Sequence, residues 1–281
     1  MRIAFIDHHL NNFHADKFLS LLRANHAADA DLVAAYETHP TGDDWCEKNG
    51  VPRCASLADA VDAADAVFVL APDDVTTHLE LAEQVLPAGK PTVIDKFLAP
   101  TAADAEAIVA CAAKHGTPIF SSSSLRFSVE LEEVWPQIEG QAVAECYSRG
   151  LASWDLYACH TLSPVLRIMG SGVRRVIDTG TATARCVTLD FGGGRRAQVA
   201  VTTAANEWDL FGWNFGVRVG NAYLARTVTN FDGFYANLIA RCVEFCRTGE
   251  APMEIGEAVM LVKALEAANR SLAAGGEWIT L

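Results

Sequence analysis

The first 120 residues alternate between two kinds of hydrophobic pattern. Short runs rich in Val and Ile, in which nearly every position is apolar, predict strands buried on both faces. Longer stretches between them repeat apolar residues every three or four positions and predict helices. The predicted strands are Arg2–Ile6, Asp31–Tyr36, Ala66–Leu70 and Pro91–Ile94, and the predicted helices are Phe13–Ala27, Thr77–Leu86 and Ala102–Lys114. This alternation indicates an α/β domain with a parallel, doubly wound sheet, in which ligands bind outside the carboxyl ends of the strands.

The pattern changes from about Ser128. Helical stretches at 129–138 and 155–169 flank an apolar run at 142–147, and strands then dominate. The predicted strands are Val173–Thr179, Arg185–Phe191, Arg196–Thr203, Phe215–Val219 and Ala222–Val228, followed by helices Phe231–Arg247 and Ile255–Ala274 and a last strand Trp278–Leu281. Strands followed by helices indicate an α+β domain with an open, mostly antiparallel sheet. We therefore expect a nucleotide-binding type of domain over residues 1–125 and a substrate and oligomerisation domain over residues 126–281.

One face of the predicted antiparallel sheet lacks a cover within the chain. Its aromatic residues indicate that this face is not exposed to water: Trp208, Trp213, Phe211 and Phe215. A second copy of the chain would cover it, so we expect a homodimer or homotetramer formed through this sheet.

Composition limits the classes of partner. The chain has 281 residues, 51% of them hydrophobic, and 22 basic against 35 acidic side chains give a net charge of −13. Such a charge opposes binding to nucleic acid or to anionic membranes. No apolar run approaches the ~20 residues of a membrane helix, and the apolar start of the chain is too short for a signal peptide. We expect a cytoplasmic globular protein.

The eight cysteines do not form a recognisable metal motif. No Cys-x-x-Cys pair occurs, and the four-residue spacing of Cys242 and Cys246 is not followed by a histidine at a ligand-like interval. Without an export signal, free thiols are the expected state, and we predict no structural metal.

The loop after the first predicted strand would carry a glycine-rich fingerprint in a dinucleotide-binding domain. Here residues 7–14 read Asp-His-His-Leu-Asn-Asn-Phe-His, without glycine. Asn11 and Asn12 tolerate positive φ and are expected to supply part of the turn. The N-terminus of the following helix still offers amides to a phosphate, whereas Asp7 would repel one unless its carboxylate points away. The residues of this loop that we predict to bind a cofactor are Asp7, His8, Asn11 and Asn12.

A carboxylate follows the second predicted strand. Glu37 lies at the position where a dinucleotide-binding domain hydrogen-bonds the ribose hydroxyls, which favours NAD over NADP. The alternative is an ordinary surface glutamate.

The next two strand ends carry further polar residues. Pro72 and His78 follow one strand, and Asp95 and Lys96 follow the other. A lysine at such a strand end suits acid–base work if burial or a cationic nicotinamide lowers its pKa from ~10.4. The alternative is a structural ion pair between Asp95 and Lys96. We predict that all four residues contribute to a cofactor site.

The segments 66–72, 88–100 and 126–127, with the closing stretch 264–281, resemble the glucose–fructose oxidoreductase / inositol dehydrogenase / rhizopine-catabolism (Gfo/Idh/MocA) family. Asp95-Lys96 is similar to the family's Glu-Lys-Pro, and the closing Ala-Asn-Arg-Ser…Gly-Gly is typical of it. The resemblance spans nearly the whole chain. It implies a Rossmann domain, a C-terminal α+β domain that often forms oligomers, and NAD(P)-dependent chemistry on a sugar or cyclitol hydroxyl.

The same resemblance implies catalytic roles for two residues. Lys96 matches the family's active-site lysine, and His160 matches its active-site histidine, the expected proton acceptor. Taken alone, a histidine in an apolar helix is more often a core residue. The chain departs from the family where Leu156 replaces an Asp four residues before the histidine and where Phe97 replaces the proline. Tyr157 is then the nearer expected hydrogen-bonding partner of His160.

Further candidates are less specific. Arg126 either holds a substrate group or bridges the two domains, and Ser121–Ser124 either lines a cleft or is a polar connection. Trp154 and Trp208 either stack on a sugar ring or pack in an interface. Arg126, Trp154, Tyr157 and His160 are the predicted substrate-binding residues.

These observations favour an NAD-dependent oxidoreductase acting on a carbohydrate-like hydroxyl, with Lys96 and His160 at the reacting centre. Two alternatives stay open. One is a lyase or epimerase on a sugar derivative, with the cofactor recycled or absent. The other is a non-catalytic protein that has lost cofactor binding. The missing glycines favour both alternatives, whereas the presence of Glu37, Lys96 and His160 together favours an enzyme.

Overall fold

The structure is a computed structural model that describes residues 1–203 and 212–281. Trp208 and Phe211 lie outside the described residues. The chain forms two compact units, each of which contains a second, distant segment: Met1–Ser122 with Tyr235–Ala258, and Ser123–Phe234 with Val259–Leu281. The domain boundary expected after residue 125 stays a prediction.

The first unit is built on a five-stranded parallel sheet. Its strands are β1 (Arg2–Asp7), β2 (Asp31–Glu37), β3 (Ala66–Val69), β4 (Thr92–Ile94) and β5 (Ile119–Phe120), in the order β2-β1-β3-β4-β5. Every residue of β3 and β4 is buried, as the continuous apolar runs predict. The helices between the strands are α1 (Phe13–Asn25), α2 (Trp45–Asn49), α3 (Leu57–Ala63), α4 (His78–Val85) and α5 (Ala102–His115).

The strand order places a crevice at the carboxyl ends of β1 and β3. From β1 the chain builds the sheet first to one side, through β2, and then to the other, through β3, β4 and β5. The loops after β1 and β3 therefore leave the sheet in opposite directions, which is the arrangement that opens a ligand crevice in doubly wound folds. The predicted cofactor residues all follow strands of this sheet.

The second unit is built on a seven-stranded mixed sheet. Its strands are β6 (Glu145–Leu151), β7 (Arg175–Asp178), β8 (Ala184–Gly192), β9 (Arg195–Thr202), β10 (Asn214–Val219), β11 (Ala222–Thr227) and β12 (Ile279–Thr280), in the order β11-β10-β6-β9-β8-β7-β12. All neighbouring pairs are antiparallel except β6 with β9. The remaining helices are α6 (Val129–Ile138), α7 (Trp154–Met169), α8 (Phe231–Thr248) and α9 (Ile255–Ala273).

The structure confirms the predicted fold class, a doubly wound parallel sheet plus an α+β part with a mostly antiparallel sheet. It differs from the sequence prediction in two aromatic residues, one just before β10 and one within it. Trp213 and Phe215 are 5% and 1% exposed within a single chain, so they do not indicate a face that awaits a second copy. The oligomer stays a prediction.

Candidate functional site

Asp7, the last residue of β1, holds the glycine-free loop in place through hydrogen bonds to its carboxylate. Its side chain is fully buried. Oδ1 accepts hydrogen bonds from the N–H groups of Ala71 and His9 at 3.1 and 3.2 Å, and Oδ2 accepts one from Asn12 Nδ2 at 2.9 Å. Burial raises the pKa of Asp7 to about 7, although these donors favour the ionised form. The carboxyl is thus poised between its charged and neutral forms at neutral pH.

Backbone amides of the loop after β1 donate hydrogen bonds within the protein. The N–H of Leu10 donates to Glu37 Oε2 at 2.7 Å, and the N–H of Asn12 donates to the Leu10 carbonyl at 2.8 Å. Asn12 is also the N-cap of α1, since its Oδ1 accepts from the N–H of Ala15 at 2.9 Å. The expectation that Asn11 and Asn12 adopt positive φ is wrong, because the non-glycine residues with positive φ among the described part of the chain are Ala71 and Ala152. Side-chain hydrogen bonds shape the turn instead.

Glu37 is placed where the sequence predicts it, at the end of β2, but its carboxylate is engaged. It is 5% exposed. Besides the Leu10 amide it contacts Arg53, whose Nη1 lies 2.6 Å from Oε1. Arg53 also binds Asp44 at 2.9 Å, and hydrogen bonding to both carboxylates raises the pKa of its guanidinium above the usual value. Glu37 therefore fixes the loop after β1 through the Leu10 amide.

Three histidines surround the loop. The rings of His8 and His39 lie 4.4 Å apart, and both Nδ1 atoms contact Thr38 Oγ1, at 3.3 and 3.0 Å. His9 Nδ1 is buried without a hydrogen-bond partner among the described residues. Asn11 is directed away from this group, since its Nδ2 donates to the carbonyls of Thr41 and Asp43. The orphaned nitrogen of His9 is the feature of the loop that a bound ligand would complete.

Lys96 lies at the carboxyl end of β4 and is 9% exposed. Its Nζ donates to the Pro72 carbonyl at 3.3 Å, and its backbone N–H donates to Asp95 Oδ1 at 2.7 Å. Burial opposes the ionisation of Asp95, but His14 and Lys96 hold the pKa of that carboxyl below its usual value. The buried lysine is thus held by the backbone after β3, and Asp95 contacts its amide rather than its ammonium group.

His78 supports these loops from inside. It is fully buried, its Nε2 lies 2.7 Å from the Leu70 carbonyl and its Nδ1 lies 3.2 Å from the Leu98 carbonyl. Burial lowers the pKa of this imidazole. His78 therefore joins the loops after β3 and β4, and any effect it has on a cofactor acts through them.

The sequence argument missed two residues beside Asp95. His14 Nδ1 contacts Asp95 Oδ2, and His14 Nε2 lies 3.4 Å from the hydroxyl of Tyr235 in α8. His14 is 6% exposed, and its ring stacks on Phe18 at 5.1 Å. The only signal in the sequence was the high density of histidines between residues 8 and 14.

In the second unit, His160 lies in the middle of α7 and is 4% exposed. Its Nδ1 lies 2.7 Å from Ser123 Oγ, which also accepts from the N–H of Leu125 at 3.2 Å. Tyr157, the expected partner, has its ring centroid 5.8 Å from that of His160, and Trp213 lies at the same distance on an edge-on geometry. Ser123 belongs to the serine run in the sequence, which therefore contributes a partner for His160.

The other predicted substrate residues have partners inside the second unit. Arg126 is 6% exposed and its carbonyl accepts from Arg167 Nη1 at 2.6 Å. Trp154 is 6% exposed, and the guanidinium of Arg185 lies 4.2 Å from its ring centroid. One face of the indole is thus covered by a cation, which sequence reasoning did not anticipate.

Among residues 1–203 and 212–281, no group of three His, Cys, Asp or Glu side chains is placed to hold a metal ion. In the same described residues, no helix has the length and apolar character needed to cross a membrane.

Comparison with known proteins adds the following. The model of the Gfo/Idh/MocA family, described as an oxidoreductase family with an NAD-binding Rossmann fold, matches residues 7–122. No curated protein matches the sequence. Three similar solved structures align with 100% of this chain. GenD2 from gentamicin A biosynthesis, in complex with NAD, has a TM-score of 0.82 and 16% identity over 96% of its own chain, and a probable dehydrogenase from Thermotoga maritima has a TM-score of 0.81 and 19% identity over 98% of its chain. The myo-inositol 2-dehydrogenase from Lactobacillus plantarum has a TM-score of 0.79 and 14% identity over 99% of its chain. At these identities the structural likeness establishes the fold.

Proposed function

We propose a function from the premise that the chain, through residues 7–122, belongs to the Gfo/Idh/MocA family of oxidoreductases with an NAD-binding Rossmann fold. The family, the oxidoreductase class and the NAD cofactor that the sequence resemblance implies are thereby confirmed. Our proposal concerns the reaction. The enzyme interconverts a hydroxyl and a carbonyl group at one carbon of a sugar, sugar derivative or cyclitol, with Lys96 and His160 as its acid–base residues.

The observation that carries this proposal is the placement of Lys96. Lys96 is 9% exposed at a strand end; its ammonium group donates to the Pro72 carbonyl, and the neighbouring Asp95 accepts from its backbone amide. Burial of an ammonium group is costly unless the group has a chemical task. The substrate class is supported by the similar structures, one of which is a myo-inositol 2-dehydrogenase.

The residues of the first unit fit an NAD molecule with an unusual phosphate contact. The orphaned His9 Nδ1 is a buried polar atom that a phosphate oxygen would satisfy, and the N-terminus of α1 favours an anion. We propose that His8 and His9, with the N-terminus of α1 that Asn12 caps, hold the pyrophosphate above Asp7, and that Glu37 binds the ribose. Asn11 contributes by fixing the loop through the carbonyls of Thr41 and Asp43. Pro72, Asp95 and Lys96 would border the nicotinamide. When bound, NAD supplies the hydride acceptor.

His160 is prepared to accept a proton. When its Nδ1–H donates to Ser123 Oγ, the tautomer is fixed and Nε2 carries the lone pair. An imidazole in this state removes a proton from a hydroxyl near neutral pH. Arg126, Trp154 and Tyr157 are proposed as substrate contacts beside it, and Ser123 is proposed to orient the ring. We place no metal in this mechanism.

A second candidate keeps the same residues without net redox, as a lyase or epimerase on a sugar derivative. The observation that favours it is the loop after β1, where the amides of His9, Leu10 and Asn12 are hydrogen-bonded within the chain. Net formation of NADH from NAD and substrate distinguishes the two, because only the dehydrogenase accumulates the reduced cofactor.

The test combines a substrate screen with a lysine variant. Purified protein is screened with sugars and cyclitols for NAD reduction, and the active substrate is then offered to Lys96→Met and to Lys114→Met, which changes an exposed lysine of α5. We expect Lys96→Met to lower kcat at least about 100-fold, with Tm within a few degrees of the wild type. A large loss of stability with little loss of kcat would show that Lys96 is structural.

A further inference from the structure

Tyr235, His14 and Asp95 form a hydrogen-bonded series within the first unit. Asp95 Oδ2 contacts His14 Nδ1, and His14 Nε2 lies 3.4 Å from the Tyr235 hydroxyl. Asp95 directly follows β4, whereas His14 lies in α1 and Tyr235 in α8. These positions are far apart in sequence, so no local pattern places them together. A hydroxyl beside a histidine whose other nitrogen is held by a carboxylate is the arrangement that activates nucleophiles and bases in enzymes.

The direction of the hydrogen bonds follows from Asp95. The buried Asp95 carboxylate accepts the N–H of Lys96 on Oδ1 at 2.7 Å, and an ionised carboxylate only accepts hydrogen bonds. His14 must therefore carry a proton on Nδ1. In the neutral imidazole Nε2 is then an acceptor, and the Tyr235 O–H is the donor that faces it. The distance of 3.4 Å lies at the long end of the range for a hydrogen bond.

The surroundings of Tyr235 suit a ligand that carries hydroxyl groups and also has an apolar face. The ring of Phe13, which is 61% exposed, lies 5.6 Å from the Tyr235 ring. Lys17 Nζ lies 5.9 Å from the centre of the same ring and favours negative charge on the phenol oxygen. An exposed aromatic surface beside a polar group is the combination with which proteins bind sugars and nucleosides.

We propose that Tyr235 is a third acid–base residue of this enzyme, beside Lys96 and His160, that His14 activates it and Asp95 orients His14, and that it serves a hydroxyl of the bound ligand. The ligand hydroxyl gives its proton to the Tyr235 oxygen, while the Tyr235 proton moves to His14 Nε2. The electron pair of the broken O–H bond stays on the ligand oxygen, and the new imidazolium is paired with the Asp95 carboxylate. This inference rests on the proposed function for the identity of the ligand, and the geometry of the three residues is independent of it.

The first experiment needs neither cofactor nor substrate, so its failure would leave the proposed function standing. The protein is treated with N-acetylimidazole, and acetylation of each tyrosine is followed by peptide mass spectrometry. The rate reference is free N-acetyltyrosinamide, whose phenol is fully exposed. We expect Tyr235, a partly buried residue, to react faster than this reference. His14→Gln should slow Tyr235 at least about tenfold and leave the rate at Tyr223 as it is in the wild type. A Tyr235 no faster than the reference, or a rate at Tyr235 that His14→Gln does not change, would overturn the proposal.

A second measurement on the unmodified protein covers the case in which His14→Gln does not fold. Nitrogen-15 NMR of histidine-labelled protein reports which ring nitrogen of each histidine carries the proton. We expect one histidine with a protonated Nδ1 and an unprotonated Nε2 whose Nε2 resonance shifts in Tyr235→Phe. The proposal would be rejected if no histidine resonance shifted in Tyr235→Phe, or if the histidine whose resonance shifts were protonated on Nε2.

Discussion

At the scale of single residues, side-chain hydrogen bonds shape the loop after β1, where a dinucleotide-binding domain usually relies on glycines. Asp7 lies where a dinucleotide-binding loop would begin with glycine, and its carboxylate accepts from Ala71, His9 and Asn12. Ala71 precedes Pro72, whose carbonyl holds Lys96. One buried carboxyl therefore supports both the loop after β1 and the loop that positions the lysine.

Asp7 makes stability depend on pH. Its carboxyl has a pKa of about 7 in the folded protein and of about 3.9 in the unfolded chain. The Asp7 carboxyl makes its full contribution to the free energy of unfolding below about pH 4, where it is protonated in both the folded and the unfolded state. This contribution is lost as the pH rises through 7, because the carboxyl of the unfolded chain releases its proton at a lower pH than that of the folded chain. The loss amounts to about 4 kcal/mol between these limits. We expect Asp7→Asn to flatten the fall in the free energy of unfolding from pH 4 to pH 8, measured by denaturant titration.

The control for this prediction is Asp62→Asn, which changes an exposed carboxyl of α3. It should reproduce the pH dependence of the wild type. An Asp7→Asn protein whose stability falls with pH as steeply as the wild type would contradict the role given to Asp7.

At the scale of elements, the N-terminus of α1 and the loop before it depend on one side chain. Asn12 caps the helix through Ala15 and ties the loop through Asp7 and the carbonyl of His9. We expect Asn12→Ala to lower the free energy of unfolding by about 1 to 2 kcal/mol and to weaken NAD binding several-fold, because the loop is released. Chemical denaturation and calorimetric titration measure the two effects.

Ser56→Ala is the matched control for Asn12. Ser56 caps α3 through the N–H of Asp59 at 3.1 Å, outside the loop. It should cost a similar amount of stability and leave NAD binding unchanged. If both variants weakened binding equally, the effect would reflect stability alone.

Most elements were predictable from sequence because their periodicities are strong. The continuous apolar runs gave β1 to β4, and the structure begins α6 at the predicted Val129 and ends it at the predicted Ile138. The short helices α2 and α3 were missed, since five and seven residues are too few for a clear period. Site geometry was harder: the contacts of Arg53 with Glu37, of Ser123 with His160 and of His14 with Asp95 join residues 16 to 81 positions apart, which local patterns do not report.

At the scale of the whole molecule, the sheet of the second unit has an open face. Along β6, Cys146 and Ser148 are buried while Glu145 and Arg149 are exposed. A shallow cavity of 410 Å³ crosses that region, lined by residues of β6, β9, β10 and β11 together with Ala144 and Gly194: Ala144, Glu145, Cys146, Tyr147, Gly194, Arg196, Gln198, Gly216, Arg218 and Tyr223. We propose that a second copy of the chain packs here, as a homodimer or as part of a homotetramer.

Tyr223 tests this assembly because it is 56% exposed and lies on the edge strand β11. Tyr223→Asp introduces a charge into the proposed interface, and we expect light scattering to show a smaller particle than the wild type. Leu281→Asp, after β12 at the other edge of the sheet, should leave the mass unchanged. A wild-type protein that is monomeric at all concentrations would end the proposal.

The central claim is that this glycine-free loop still binds the dinucleotide of an oxidoreductase. Its most direct test is a calorimetric titration of purified protein, freed of carried-over nucleotide, with NAD, NADH and NADP. We predict micromolar binding of NAD or NADH and weaker binding of NADP, because the Glu37 carboxylate repels a 2′-phosphate. No binding of any of the three, together with no nucleotide released when the protein is denatured, would contradict the claim.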